Sequence, residues 1–431
     1  MVSWDEFRAK RPKFAKIRLD VVVALASSIR DGVPCNVSEE FWHGTDNVAF
    51  KVTFGDGVEW ICRVHGEAEN VSTAYTTARL DSTVATMRYI GSNSSIPVPT
   101  IHAYASQNTI PGLGSGYLLM DFIQGTEVDS SPDGLSNEDE IQVYDQLALV
   151  AWKLSRLRFP QIGPIYQNSS GDFHVGPFVN EQGKSFGPFD TSVEFFKFKV
   201  DGIRNRYSEW LLADVRSEGD WERAHSVLSL YEEIASHLSD YDECGFPLAH
   251  GDLGTPNVLF VRDSSGKLQI SAVLDWDSAH ASAWPDFGQY PTLLEIHWPT
   301  FETGEYSSFV LDQILRTQRL FREGLRHYEP KFSNDPDPLL SVVLDAPAVR
   351  VAEFILMYSD PDDGVDCSLL LKYVRAWKKD WKWDPSESVS MQPPKEPRTD
   401  TNRVIEERNI LRPPFLPPRT YRVRLPFGGL F

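Results

Sequence analysis

The sequence predicts an α+β chain of two lobes, a small strand-rich lobe followed by a larger helix-rich one. Three observations carry this. The chain has 431 residues and a hydrophobic fraction of 41%, more than one core usually organises, since single cores stop growing at roughly 250–300 residues. Strand-like runs fall early, between residues 49 and 126, whereas helical periods dominate from residue 137 onward. One strand pair, at 258–274, interrupts the helical part. The expected division is a helical lead-in over 1–40, the small lobe over 41–123, the large lobe over 124–383 and a proline-rich tail over 384–431.

Residues 1–31 are expected to be helical and to stop at Asp31-Gly32-Val33-Pro34. The run VVVALA at 21–26 forms one face of that helix; a bilayer span needs about 20 apolar residues. Residues 49–54 and 58–64 read as two strands about Gly55-Asp56-Gly57, where glycine supplies the positive φ of a tight turn. A helix is expected over 71–91, and then SIPVPTIHAY, whose two prolines favour an extended connection. GYLLMDFIQGT at 116–126 reads as a further buried strand. The helical period then appears at Leu147, Val150, Ala151, Leu154 and Leu157, with Asn137 and Glu140 as its capping pair. Further helices are expected near 192–215, 220–239, 306–328 and 347–358. The prolines beyond residue 384 forbid regular helix there.

Net charge is -19. So acidic a chain repels polyphosphate backbones and anionic lipid, which argues against nucleic acid and membrane surfaces as partners and leaves room for a cationic small molecule. The tryptophans accordingly read as core, not as a stacking platform. Four cysteines, at 35, 62, 244 and 367, form no CxxC pair, so the expectation is a reduced, cytoplasmic protein. The first residues, MVSWDEFRAKRPKFAKIRLD, contain no signal-peptide core. Composition says nothing about oligomeric state.

The chemistry is expected at HGDLGTPNVLF, residues 250–260, and in its continuation through VLDWDSA. Val258 to Arg262 and Leu268 to Leu274 read as strands joined by Asp263-Ser264-Ser265-Gly266-Lys267. Folding that hairpin about Ser265 or Gly266 sets Asn257 opposite Asp275 at its open end, with Asp252 one bend upstream. An amide oxygen and a carboxylate converging in this way suit Mg2+, which takes one or two protein oxygens and fills its octahedron with water and substrate phosphates. Asp252, kept off the metal, would receive the proton of a hydroxyl nucleophile, so the expected reaction is phosphoryl transfer. His250 reads as structural, and Asp286 either as an anchor of the catalytic loop or as a helix cap.

His250-Gly251-Asp252 with Asn257, followed by Leu274-Asp275-Trp276-Asp277, resembles the signature of the aminoglycoside phosphotransferase and choline kinase-like enzymes. The similarity runs from roughly residue 41 to residue 380 and takes in GYLLMDFIQG as the hinge strand, IPVPTIHAY before it and IGPIYQNSSGDFHVGPF as a connection. The resemblance implies a two-lobe protein-kinase-like fold and MgATP-dependent transfer to a hydroxyl of a small molecule. It implies Asp252 as catalytic base, Asn257 and Asp275 as magnesium ligands, and Arg63, where lysine is usual, on the α and β phosphates of ATP. Gly44, Thr45, Asp46 and Asn47 match the loop over the phosphates, and Asp121 and Ile123 match hinge positions whose backbone pairs with adenine. One departure stands out. Where the family has glutamate in Ser-Glu-Val-Ala-Thr, this chain has Ser82-Thr83-Val84-Ala85-Thr86. Arg63 then needs another acidic partner, for which Asp81 and Glu67 are the candidates, or the chain is a non-catalytic pseudokinase that serves as a nucleotide- or protein-binding scaffold. No Ala-Pro-Glu segment is present to build the regulated activation segment of a protein kinase.

Overall fold

The computed structural model describes residues 3–67, 71–107, 110–114, 116–128, 135–213, 228–229, 231–291, 308–329, 338–344, 346 and 349, with the side chains of 203–213 and 308–314 outside the description. The helix expected near 220–239 is described at 228–229 and 231–239, where it runs to residue 234 and passes into a 3-10 turn at Ala235–His237; most of that expected at 347–358 and all of the proline-rich tail lie outside the described residues.

The chain opens with helices α1 (Trp4–Ala9) and α2 (Leu19–Ile29). Strands β1 (Cys35–His43), β2 (Asn47–Phe54) and β3 (Glu59–His65) follow, then helix α3 (Thr73–Asn93) and strands β4 (Ile101–Ala105) and β5 (Gly116–Asp121). The five strands form one antiparallel sheet in the order β1-β2-β3-β5-β4. Alternation decides its two faces. Val48, Phe50, Val52 and Phe54 of β2 are buried with Cys62 and Val64 of β3 in a core that also takes Trp4, Phe7, Phe14, Ile17 and Val22 of the leading segment. Each large apolar side chain so buried contributes roughly 1.5–3 kcal/mol, which is why the leading helices lie on the sheet. The opposite face carries Trp42, Ala49 and Arg63, which lie side by side across β1, β2 and β3.

Two expectations are corrected here. Residues 35–40, expected in the helical lead-in, are the first part of β1; Asn36, Ser38, Glu39 and Glu40 break its apolar alternation, and the register slips between Val37 and Phe41. Ile101–Ala105, expected as a connection, is the edge strand β4. Its prolines precede the paired residues, a position proline tolerates.

The large lobe begins with helix α4 (Asn137–Ser155). Its N-cap is Ser136, whose hydroxyl accepts the Asp139 N–H at 3.1 Å. The cap therefore stands one residue before the expected Asn137 and Glu140 pair; Glu140 is drawn inward to Arg316 at 2.7 Å. Five short strands follow, β6 (Arg158–Phe159), β7 (Ile165–Gln167), β8 (Phe173–Val175), β9 (Phe178–Val179) and β10 (Ser185–Phe186), then helix α5 (Ser192–Ala213). Next come β11 (Phe246–Ala249), the hairpin of β12 (Val258–Arg262) and β13 (Leu268–Val273), β14 (His280–Ala281) and the short helix α6 (Trp284–Phe287). Helices α7 (Ser308–Tyr328) and α8 (Leu340–Val343) complete the described part. Small β-rich lobe and large α-rich lobe together form the two-lobe protein-kinase-like fold.

Three sets of bonds place the β12–β13 hairpin beneath the sheet. Thr126, just past β5, exchanges both backbone hydrogen bonds with Phe260 at 3.0 and 2.9 Å. Gly125 makes this approach possible, since a Cβ there would lie 2.8 Å from that of Leu259. The Val273 N–H reaches the carbonyl of Pro97 at 2.8 Å, and on the outer side Gln142 and Gln146 of α4 accept the N–H groups of Leu268 and Ile270 at 2.8 and 2.7 Å. A two-stranded ribbon has bare edges and little stability alone; here helix, hinge and linker cover them. Among the described residues, no helix is long and apolar enough to cross a membrane.

Candidate active site

The stretch from His250 to Asn257 is locked by its own side chains. Gly251 turns the chain at φ +84°, against Ser278, where a Cβ would fall 2.6 Å from the carbonyl oxygen. His250 accepts the Asp252 N–H at Nδ1 (3.2 Å) and donates from Nε2 to the Leu274 carbonyl (2.8 Å). That pattern is the neutral tautomer, and burial lowers the imidazole's affinity for a second proton. The structural role expected of His250 is thus observed. Asn257 donates from Nδ2 to the Asp252 backbone oxygen (2.8 Å) and to its carboxylate Oδ2 (2.9 Å).

The hairpin register is Val258 opposite Val273, and the Leu274 N–H binds the Asn257 carbonyl at 2.8 Å. Asn257 therefore faces Leu274, not Asp275 as expected, and the register shifts at Leu259 and Phe260. Asp275 follows in the left-handed region at φ 57°. A short polar side chain tolerates this conformation better than most. The kink sends Trp276 into the core, with its Nε1 on the Val273 carbonyl at 3.0 Å and its ring 4.4 Å from that of His250. Asp252, Asn257 and His250 are bonded into one unit, tied through Leu274 to the residue before Asp275.

Arg63, on the cleft face of β3, reaches this unit. Its Nη2 lies 3.1 Å from Asp275 Oδ1 and 2.6 Å from Asp277 Oδ2, and its Nη1 lies 2.8 Å from Asp277 Oδ1. The expected partners are corrected: Glu67 pairs with Lys16 and Asp81 with Ser106, while Asp277 takes Arg63 in a two-pronged grip. Arg79 of α3 joins Asp277 at 3.2 Å and Asp46 at 3.3 Å, and the Thr83 hydroxyl lies 3.1 Å from Asp277. Only 3% of the Asp277 side chain is exposed. Burial opposes its charge, but Arg63 and then Arg79 outweigh it and hold the carboxyl well below the usual range. Burial and the neighbouring Asp277 carboxylate push Asp275 the other way, upward.

The remaining expected residues lie at the β1–β2 turn and at the end of β5. Gly44 closes the β1–β2 turn by donating its N–H to the Asn47 carbonyl at 2.9 Å, and open space lies where its Cβ would be. Thr45 stands between them. Asn47 leans toward the lobe junction, with Nδ2 3.4 Å from Asp277. Asp121 ends β5; its N–H binds Thr100 (3.0 Å) and its carboxylate His102 (2.7 Å), while the Phe122 N–H binds Glu59 (3.1 Å). Ile123 follows where the chain has left the sheet.

Sequence reading named Asp277 only within the signature and Asp46 only within the phosphate loop, gave neither a partner and missed Arg79, because a contact such as Arg63 to Asp277, some 200 positions apart, leaves no local pattern. It also passed over Trp42, which is 47% exposed on the Arg63 face with its ring 6.4 Å from that of Phe122. An Asp-Phe-Gly tripeptide occurs at 286–288, in and just after α6. Asp286 neither caps a helix nor bonds the catalytic loop's backbone. Its carboxylate takes His280 Nε2 at 3.2 Å and the Ser282 hydroxyl, and so braces β14, which pairs with β11 just before His250.

Burial alone would raise the Asp286 carboxyl, but the His280 hydrogen bond and the Lys199 charge pull it down to about 2, below its ordinary 3.8. Such a drop corresponds to roughly 2 kcal/mol of stability. This contribution is complete above about pH 4 and disappears as pH falls through about 2. Asp286→Asn is therefore expected to unfold at lower urea than the parent at neutral pH, with the gap narrowing as the titration series runs acid.

The donor set fits magnesium. Both Asn257 amide bonds run to Asp252, so the amide oxygen faces the other way. Asp275 gives one oxygen to one arginine and keeps lone pairs to offer. A deeply buried thiol neighbours the site at Cys62, pushed up to about 12 by burial and therefore unreactive.

A family model described as the phosphotransferase enzyme family matches residues 38–287. Clavilactone A biosynthesis cluster protein Y of Ampulloclitocybe clavipes is 27% identical over 286 residues, covering 63% of this chain and 65% of that protein. A subtelomeric hrmA-associated cluster protein of Aspergillus fumigatus is 32% identical over 108 residues, 25% of this chain and 20% of that one. The chain thus spans less than two thirds of the length of these curated relatives. Among solved structures, a protein of Ralstonia eutropha assigned as an aminoglycoside phosphotransferase aligns with 85% of this chain and 100% of its own, at 16% identity and a TM-score of 0.47. A macrolide 2'-phosphotransferase of Brachybacterium faecium aligns with 84% and 93%, at 14% identity and a TM-score of 0.39.

Proposed function

Because this chain belongs to the phosphotransferase enzyme family, we propose that it is a kinase that transfers the γ-phosphate of ATP to a hydroxyl group of a small molecule. The observation that carries the reading is the pairing across the cleft. Arg63, from the sheet, meets Asp275 at the open end of the hairpin, where Asn257 on the other strand holds Asp252. A cation that can grip phosphate, a carboxylate that can hold a metal and a carboxylate that can take a proton thus border one space.

Asp252 receives the proton of the acceptor hydroxyl as the oxygen attacks phosphorus. Asn257 fixes that carboxylate through Oδ2. Asn257 and Asp275 would hold magnesium, whose charge when bound neutralises that building up on the phosphate oxygens. Arg63 holds the α and β phosphates, the backbone at Gly44, Thr45 and Asn47 covers them, and the hinge backbone at Asp121 and Ile123 pairs with adenine. Trp42 offers an apolar ring on the same face. The scaffold alternative drew on the absent helix acid, and Asp277 now supplies an acid to Arg63, so that motive is gone.

The acceptor is read as a hydroxylated metabolite, neutral or cationic, since a net charge of -19 disfavours an anion. The relative from a biosynthesis cluster makes secondary metabolites the first class to test. We place the reaction in the cytoplasm, where thiols such as Cys35, Cys62 and Cys244 stay reduced. Millimolar MgATP is expected to raise the melting temperature, because a ligand that binds only the native state stabilises it, and a screen of hydroxylated metabolites should find one that accelerates ADP release. Absence of any MgATP stabilisation would favour a scaffold.

A further inference from the structure

Arg63 and Arg79 are two guanidinium groups brought together in a nearly closed space, with side chains 13% and 15% exposed. Like charges so placed need a shared anion. Asp277 supplies it and is encircled. Its Oδ1 faces Arg63 Nη1 (2.8 Å) and the Thr83 hydroxyl (3.1 Å), and its Oδ2 faces Arg63 Nη2 (2.6 Å), Arg79 Nη2 (3.2 Å) and Asn47 Nδ2 (3.4 Å). An ionised carboxylate has about four lone-pair sites. The Thr83 hydroxyl also lies 2.9 Å from the Arg79 carbonyl and has one proton for both, but the four N–H donors alone fill those sites and leave none for a metal, in contrast to Asp275.

We propose that Asp277 is the positioning residue for Arg63: a carboxylate from the large lobe that sets the guanidinium plane for phosphate and does not itself bind metal. The inference rests on the phosphotransferase reading above and adds to it. Helix α3 presents Thr83, not an acid, to this carboxylate. A short hydroxyl leaves room for Asp277 to enter from below and adds a donor. A planar fork bound along its Nη1–Nη2 edge cannot rotate. Of its five N–H groups, three are engaged by Asp277 and Asp275, which leaves Nε and one hydrogen of Nη1 for phosphate oxygens. Because the donors to Asp277 come from β2, β3 and α3 while Asp277 follows the hairpin, the same bonds fix how the sheet sits over Asp252 and Asn257.

The test compares Asp277→Asn, Arg63→Ala, Asp252→Asn and the double variant Asp277→Ala with Thr83→Glu, which moves the acid from the large lobe to α3. Steady-state kinetics at varied ATP and Mg2+ are paired with calorimetric titration of ATP without magnesium. For Asp277→Asn, kcat is expected to fall about 100-fold, the order lost when a binding group is misplaced by about 1 Å. Magnesium-free ATP affinity should hold or tighten, since two guanidinium groups lose a countercharge. Arg63→Ala should instead weaken that affinity about tenfold or more. The double variant should regain roughly tenfold in kcat over Asp277→Asn. The proposal is overturned if Asp277→Asn keeps the parental kcat while Asp252→Asn does not, which leaves the phosphotransferase reading standing. It is overturned equally if added Mg2+ restores Asp277→Asn, which would make Asp277 a metal ligand, or if the relocated acid restores nothing. A parent that consumes no ATP overturns both readings together.

Discussion

Asp252→Asn is expected to lower kcat by about 1000-fold, within the range a positioned general base contributes, while MgATP affinity stays within a factor of about two. The geometry dictates the asymmetry. Asn257 donates its amide hydrogens to Asp252, one of them to Oδ2. An asparagine at 252 satisfies that donor only by turning its own oxygen toward Asn257. Its NH2 group has no lone pair to take a proton. The Asp252 N–H still reaches His250 and Gly251 still packs on Ser278, so the loop keeps its shape. Single-turnover rates with a saturating acceptor, beside calorimetric MgATP affinity, measure both halves. Equal losses of rate and affinity would show that Asp252 acts in binding.

Asp275→Asn is the second large effect, a fall in kcat of about 100- to 1000-fold with a raised Mg2+ requirement, because a metal held by one carboxylate and one amide loses its only charged protein ligand. Stabilisation by such a metal amounts to several kcal/mol. Asparagine is the informative replacement, since position 275 sits at φ 57° and Asn tolerates the left-handed region where Ala is strained. Burial and Asp277 already disfavour the Asp275 charge, so the variant should melt no lower than the parent. Loss of activity with unchanged Mg2+ dependence would assign Asp275 to Arg63 alone.

How much of this was legible in the sequence depended on the range of the interaction. β2 was readable because Val48, Phe50, Val52 and Phe54 alternate strictly, as a half-buried strand must, and β3 and β5 because they are short, nearly continuous apolar runs. β1 was not, since its polar residues and slipped register hide the alternation. The hairpin was legible from its turn chemistry, but its register was off by one: the ladder next to the turn is centred on Ser265, and the shift between Leu259 and Phe260 then carries Asn257 on to Leu274, one residue short of Asp275. The HGD loop and its Asn257 were legible only jointly with the strand pair and the Asp-Trp that follow them. The partner of Arg63 was not. Candidates near in sequence, Glu67 and Asp81, are held by Lys16 and Ser106, and the residue that wins, Asp277, comes within reach only after hinge and linker have docked the hairpin under the sheet.

The most direct test is 31P NMR of the protein incubated with MgATP and a pool of hydroxylated metabolites, run beside Asp252→Asn. The account requires the γ-phosphate signal to decay as a phosphomonoester signal, or inorganic phosphate where water is the acceptor, grows in its place, with Asp252→Asn about 1000-fold slower. An ATP spectrum that stays unchanged with every acceptor, water included, would contradict it, and so would an Asp252→Asn variant that matches the parent.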